Sequence, residues 1–174
     1  GSLLMLGGLN GLGLGGWGES VVNEVLPSRL SADQAEFVRE KSFVTLTDSG
    51  KLAPLLQLSG SESENARIWA DLPEVADYQQ LGPLRPAATT LLNVNVDGRM
   101  QPLLVTQPYG RGQSYILATG GTWRWQMSLP VEDMSHETFW RQLTRALVAN
   151  SPRPFELSSR VDTEEIKVRA ELRD

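Results

Sequence analysis

The chain has no cysteine and a single histidine among its 174 residues. The first absence excludes disulfides, thiolate metal sites and cysteine nucleophiles together, and it is compatible with any redox compartment. The second excludes a multi-histidine metal centre. No apolar run approaches the ~20 residues of a membrane helix, and no signal-peptide pattern is visible. Basic clusters are also lacking: the 16 Lys and Arg residues are scattered, the formal net charge is −5 and the pI is near 5.0. Phosphate backbones demand a concentrated basic face, so nucleic acid is excluded as the main partner. There is no internal repeat and no low-complexity segment. What is present is an ordinary globular balance, 40% hydrophobic and 21% charged, which suits one domain or one domain with an appendage.

The order of elements reads as α/β. Leu3 to Leu6 is a short apolar run without alternation, the mark of a strand buried on both faces. Gly7 and Gly8 end it. A glycine-rich loop follows, then a short helix from Glu19 to Leu26 stopped by Pro27. Ser42 to Thr47 is expected as a strand, Asp48 to Gly50 as a turn, Leu55 to Leu58 as a second short strand, and Glu64 to Leu72 as a helix anchored by Trp69. Pro73 to Pro86 carries three prolines and no period, which predicts a surface excursion. Leu91–Val96, Gln101–Gln107 and Ser114–Thr119 then form an antiparallel meander, turning at Asp97-Gly98 and at Gly110 to Gly112. The helix from about His136 to Ala149 puts Phe139, Trp140, Leu143, Ala146 and Leu147 on one stripe, with Ser135 or Asp133 as its cap and Asn150 with Pro152 as its stop. In the tail, Ile166, Val168, Ala170 and Leu172 alternate with charged residues as in a strand. A tail this short cannot form its own core. The boundaries are therefore 1–152 for the α/β domain and 153–174 for a β tail that docks as a hairpin or begins a further module.

Several patterns invite a chemical reading. Gly11, Gly13 and Gly16 match G-x-G-x-x-G, and Asp33 lies at the distance a ribose-binding acid would. Against this, four residues separate Leu6 from Gly11, Leu12 and Leu14 stand where backbone must approach a phosphate, and no strand precedes Asp33. The bland alternative is a flexible glycine loop over the sheet edge. His136 and Glu137 are adjacent on a helix, so their side chains diverge by about 100° and form no dyad by default. A packing or capping role suits His136 better than that of a base without an orienting partner. Ser59-Gly60-Ser61 lacks the strand-to-helix context of a hydrolase nucleophile elbow. Glu132, Asp133 and Glu137 read as a solvated helix start favoured by the dipole rather than as a cation site. If TWRWQM stays extended, Trp123, Trp125 and Met127 share one face and Thr122, Arg124 and Gln126 the other. That face is either a core anchor or a ligand and partner platform beside Arg124, at the strand edge where open α/β sheets bind ligands.

LLMLGG at the start, TDSGKLAPLLQL and ENARIWADLPEV in the middle, and QPLLVTQPYGRGQSYILATGGTWRWQM followed by HETFWRQLTRAL resemble a bacterial family. It is the glutamine amidotransferase-like domain of membrane-anchored proteins, often linked to von Willebrand factor A modules. The resemblance covers roughly Leu3 to Asn150. It implies a flavodoxin-like three-layer α/β sandwich of the class I amidotransferase kind, with a mixed sheet whose first strands and helices precede Gly1. It also implies that an immunoglobulin-like module begins near Phe155. Such enzymes need a cysteine on an elbow, here around Gly7 and Gly8, and a histidine-glutamate pair after a later strand, here at Gly120, Gly121 and Thr122. Both are missing, so the resemblance describes fold rather than activity.

Together these readings give no catalytic residue, no metal and no cofactor. The expected function is a non-catalytic interaction or scaffold domain of a larger bacterial envelope protein, periplasmic or, alternatively, cytoplasmic. Membrane attachment would come only through the parent protein. The expected partners are protein modules of the same or an associated polypeptide, with a homodimer through an unpaired Leu3–Leu6 edge as a further mode. The candidate ligand or partner edge comprises Gly7, Gly8, Asn10, Trp17, Thr122, Trp123, Arg124 and His136. The rival function is a small-ligand binder or hydrolase-type enzyme that uses the remodelled amidotransferase cleft.

Overall fold

A computed structural model describes residues 1–34, 36–149, 155–161 and 166–172. In chain order, the apolar run is strand β1 (Ser2–Leu6), and the glycine loop leads through one 3-10 turn into a single turn of helix, α1 (Val22–Val25). Strand β2 (Phe37–Val38) is followed by β3 (Val44–Leu46). Thr47 then caps a short helix, α2 (Asp48–Leu52), its hydroxyl accepting from Gly50 N at 2.9 Å. The region read as a turn is therefore helical, because the Thr side chain satisfies an orphan N–H of the first turn. Leu55–Leu58 is not a strand. Pro54–Leu56 forms a 3-10 turn that buries Leu56 completely.

Helix α3 (Glu62–Asp71) is capped by the Ser61 hydroxyl and held down by Trp69, whose Nε1 donates to Leu56 O at 2.9 Å. Strand β4 (Tyr78–Gln79) pairs with β2. The long hairpin of β5 (Thr89–Val96) and β6 (Arg99–Tyr109) turns at Asp97 and Gly98, with φ of 50° and 74°. Those left-handed values define the two-residue turn that matches the natural twist of a hairpin. Pro102 of β6 lies where the β5–β6 register shifts, which suits a residue with no N–H to offer the ladder. Strand β7 (Gly112–Leu117), helix α4 (Trp123–Ser128), helix α5 (Ser135–Ala149) and the hairpin of β8 (Phe155–Val161) with β9 (Ile166–Leu172) complete the chain. The tail residues that are described form one antiparallel strand pair, β8 with β9. The helix stop at Asn150 and Pro152, and the boundary at 152, lie outside the described residues.

The main sheet has five strands in the order β1-β7-β6-β5-β3. Only β1 and β7 are parallel; every other pair is antiparallel. The fold is mixed α/β as expected, but the parallel part is one strand pair rather than most of the sheet. β1 was expected to be buried on both faces, yet it is an edge strand: Leu3, Leu4 and Met5 are half-buried and Leu6 is exposed. Its outer side has no strand partner among the described residues, and the C-terminal strand β9 pairs with β8 instead.

The core gathers Leu92, Leu103, Leu104, Ile116 and Leu117 from the sheet with Leu56, Trp125, Phe139 and Leu143 from the helical segments, all fully buried. Phe139 and Leu143 are the predicted stripe of α5 at i, i+4; Trp140, Ala146 and Leu147 are only partly buried. Three aromatic rings join α3, α4 and α5. Trp69 meets Trp125 and Phe139 edge to face, each at 6.1 Å, and Trp125 meets Phe139 at 5.6 Å.

The segment Pro73–Pro86 is not a surface excursion. Val75, Tyr78, Gln79 and Leu81 are buried. Gln79 N donates to Ala118 O at 2.8 Å, so the segment is strapped onto the end of β7. A second tie forms near α1, where Arg85 donates to the carbonyls of Leu26 and Asn23. Lack of period misled here because an irregular strap uses single anchors and backbone bonds rather than a repeating face.

Candidate interaction edge

β1 and β7 run parallel, so the loops that follow them emerge side by side. Gly7 N extends the ladder by donating to Leu117 O at 2.7 Å. A Cβ at Gly7 would lie 2.5 Å from Ala118 C and 2.8 Å from Thr119 N, so only glycine lets the two backbones meet this closely. A Cβ at Gly120 would lie 3.2 Å from Gly7 O and 3.9 Å from Gly8 Cα. The predicted elbow position and the predicted histidine-glutamate position are therefore neighbours in space.

After β7 the chain turns on Thr119, whose Oγ1 accepts from Gly121 N at 2.9 Å and donates to Asp77 Oδ1 at 3.0 Å. Gly120 N also points at that carboxylate oxygen, at 3.4 Å. A Cβ at Gly121 would come within 3.0 Å of Asp77 Oδ2. Sequence reasoning missed Asp77, because it lies in the segment taken for an excursion. The one usable signal was the apolar pair Val75 and Tyr78 flanking it. Burial pushes the neighbouring Tyr78 phenol up to about 12, which keeps it neutral at ordinary pH.

The glycine loop has closed on itself. Gly11 N donates to Gly8 O, Gly15 N to Gly11 O, Gly16 N to Gly13 O and Trp17 N to Leu12 O. Donors that a dinucleotide phosphate would need are used internally, and the helix that follows, α1, is a single turn. Leu12, with φ of 46°, is buried as a plug, and Gln79 Nε2 fastens Gly11 O at 2.6 Å. The loop is neither a nucleotide cradle nor a loose cover. Asn10, Leu9, Leu14 and Trp17 are exposed on its outside.

TWRWQM is helical, which overturns the shared face expected for Trp123, Trp125 and Met127. Trp125 is fully buried, whereas Trp123 is 53% and Met127 74% exposed. Two residues apart on a helix means about 200° of rotation, so alternate residues part company. Thr122 is buried, and the Arg124 guanidinium stacks on the Trp123 ring at 4.6 Å.

His136 does not join the edge as a reacting group. Its Nε2 accepts from Trp140 Nε1 at 3.0 Å, and its ring stands edge-on to Trp125 at 6.5 Å. Burial lowers its pKa below the usual value, with Glu137 acting weakly the other way. An imidazole whose folded-state pKa is depressed binds fewer protons folded than unfolded. Stability is then fully present above the unfolded value near 6.5 and is lost as pH falls from there toward the lower folded value. Urea midpoints should fall across that window in the native chain, and His136→Gln should flatten the change; an identical pH slope in both proteins would refute the assignment. Asp133, from the acidic group, caps α5 by accepting from Ser135 N at 2.8 Å. No group of three or more His, Asp or Glu side chains converges among the described residues. No helix among them is long and apolar enough to cross a membrane.

No family model matches the chain, and no curated protein does. Two solved structures from Salmonella typhimurium are similar to it. Cytoplasmic protein STM3548 is 20% identical with a TM-score of 0.60, the match covering 84% of this chain and 55% of that one. Cytoplasmic protein STM1381, from strain LT2, is 19% identical with a TM-score of 0.54, again over 84% and 55%. The likeness is one of fold. The chain spans about half the length of either neighbour.

Proposed function

We propose that this chain is a non-catalytic, amidotransferase-like interaction or scaffold module of a larger bacterial envelope protein. It docks other protein modules of the same or an associated polypeptide through the edge formed by the loops after β1 and β7. One observation supports the reading: the turn after β7, where the resemblance would put a histidine-glutamate pair, closes on Asp77 instead, with exposed apolar side chains on the loops that meet there. Leu6 ends β1, Leu9, Leu14 and Trp17 stand on the loop after it, and Trp123 and Met127 follow the other loop. Exposed aromatic and aliphatic groups beside an arginine are the composition of protein-binding patches. The outer side of β1, which has no strand partner among the described residues, adds an edge along which two copies can pair.

The amidotransferase likeness rests on the quoted sequence stretches, and so does the envelope assignment. The word cytoplasmic in the neighbours' names describes those proteins, and at their low identity it does not transfer. Calorimetric titration of this domain against the parent's other modules tests the proposal. Saturable binding is expected, weakened about tenfold or more by Trp123→Ala combined with Leu9→Ser, since buried aromatic anchors dominate such interfaces. Absence of binding sinks the scaffold reading, and ammonia release from glutamine above background sinks the non-catalytic one.

A further inference from the structure

The opposite end of the sheet carries a second, independent feature. β3 is the other edge strand. Thr47 N donates inward to Leu91 O at 3.1 Å, and Thr45 pairs with Asn93 in the same register. Backbone groups of successive strand residues point to opposite sides, so Val44 and Leu46 turn their N–H and C=O outward. Ser42 shares their parity and shows what that side accepts: it exchanges two backbone bonds with Val75, at 2.9 and 3.0 Å. Beyond Val75 the outer lane holds no strand among the described residues.

Beside that length of edge, a cavity of about 370 Å³ opens between β3 and α3. That is within the ~300–1,000 Å³ range of ligand sites. Val44 and Leu46 line it from the strand, and Ala66 and Trp69 from the helix. Asn65, 3% exposed, also faces the cavity. Its Oδ1 accepts from Leu58 N at 2.7 Å, which fixes the amide orientation, and its Nδ2 donates to no acceptor among the described residues. An amide donor on a cavity wall is available to the carbonyl of a ligand that enters. At the rim, Lys51 is ion-paired with Asp48 at 2.8 Å and feels the charge of Glu62 more weakly, while Glu62 makes no ion pair within 4 Å among the described residues.

We propose that the β3–α3 groove binds an extended peptide segment of a partner protein, which adds to β3 as a new edge strand. One Val-, Leu- or Ile-sized side chain fills the cavity, a backbone carbonyl accepts from Asn65 Nδ2, and a Lys or Arg of the peptide faces Glu62. Outward backbone groups supply the affinity of strand addition, and the cavity with the Glu62 carboxylate at its rim supplies the selection.

The test is selection of phage-displayed random heptapeptides on the full chain, followed by titration of the enriched peptides. Enrichment of an aliphatic residue near a Lys or Arg is expected. Ala66 is on the exposed side of α3, so Ala66→Trp blocks the groove without touching the core and should abolish binding. Glu62→Lys, a second surface change, should weaken the same peptides about tenfold, the equivalent of ~1.4 kcal/mol. Bound peptide should protect the amides of Val44 and Leu46 from hydrogen exchange. The proposal is overturned if no motif is enriched, if Ala66→Trp binds as well as the native chain, or if those amides stay unprotected. It is equally overturned if the native chain self-associates and Ala66→Trp makes it monomeric, because the occupant is then a second copy.

Discussion

Replacing Trp125 by alanine should lower the unfolding free energy by about 3–5 kcal/mol, the range for deleting a large buried aromatic. The indole is 0% exposed and contacts Trp69, Phe139 and His136 edge to face, at 6.1, 5.6 and 6.5 Å. Those four rings belong to α3, α4 and α5, so the cavity left behind would sit where three helices meet, and none can collapse into it without leaving the others. Trp125→Phe should cost much less. It keeps most of the ring contact, and the Nε1–H it removes has no acceptor among the described residues. Urea denaturation of the three proteins gives the comparison. A loss for alanine below about 0.5 kcal/mol, the size of a typical surface change, would mean that the cluster is not a core.

Gly7→Ala should be the second most damaging change, at about 1–3 kcal/mol or more, as overpacking against backbone typically is. The added Cβ would lie 2.5, 2.7 and 2.8 Å from Ala118 C, Ala118 O and Thr119 N. None of these atoms ends a flexible side chain, so relief requires β1 and β7 to separate where Gly7 N holds Leu117 O. Because the same contact holds the two loops together, the substitution should also weaken partner binding at that edge. Gly60→Ala is the control: nothing lies within 4 Å of its added carbon, and it should be neutral. Equal midpoints for the two variants in a thermal scan would contradict the close approach.

Elements whose own residues enforce them were legible in the sequence. The β5–β6 hairpin announces itself in Asp97-Gly98, and α5 in its stripe of Phe139 and Leu143. The Leu3–Leu6 run is a strand as read, but its neighbours were not. An apolar strand reads the same whether it is central or, like β1, at an edge, because periodicity reports side chains and not ladder partners. TWRWQM failed for the opposite reason. Aromatics at i and i+2 suit a strand locally, yet burial of Trp125 among Trp69 and Phe139 selects a helix that leaves Trp123 and Met127 in solvent.

The candidate edge was partly legible. Gly7, Gly8 and Gly120 do come together, and Trp17, Trp123 and Arg124 do remain at the surface. His136 belongs instead to the aromatic stack, a placement that Trp140 at i+4 hinted at. Asp77 and Gln79 were missed, since a single carboxylate and a single amide in an aperiodic segment leave only the flanking Val75 and Tyr78 as a signal until the strap meets β7. The β3–α3 groove is a matter of which strand ends the sheet and which helix lies beside it.

By itself, then, the sequence determined the α/β composition, the hairpin, the long helix, and the absence of a cysteine nucleophile from these 174 residues, because each follows from the residues present or absent at local spacing. Tertiary structure alone decided that β1 and β3 are the edges, that α4 is a helix, and that Asp77 closes the turn after β7. These depend on contacts between residues some 40 or more positions apart, as from Asp77 to Thr119, where no local rule reaches.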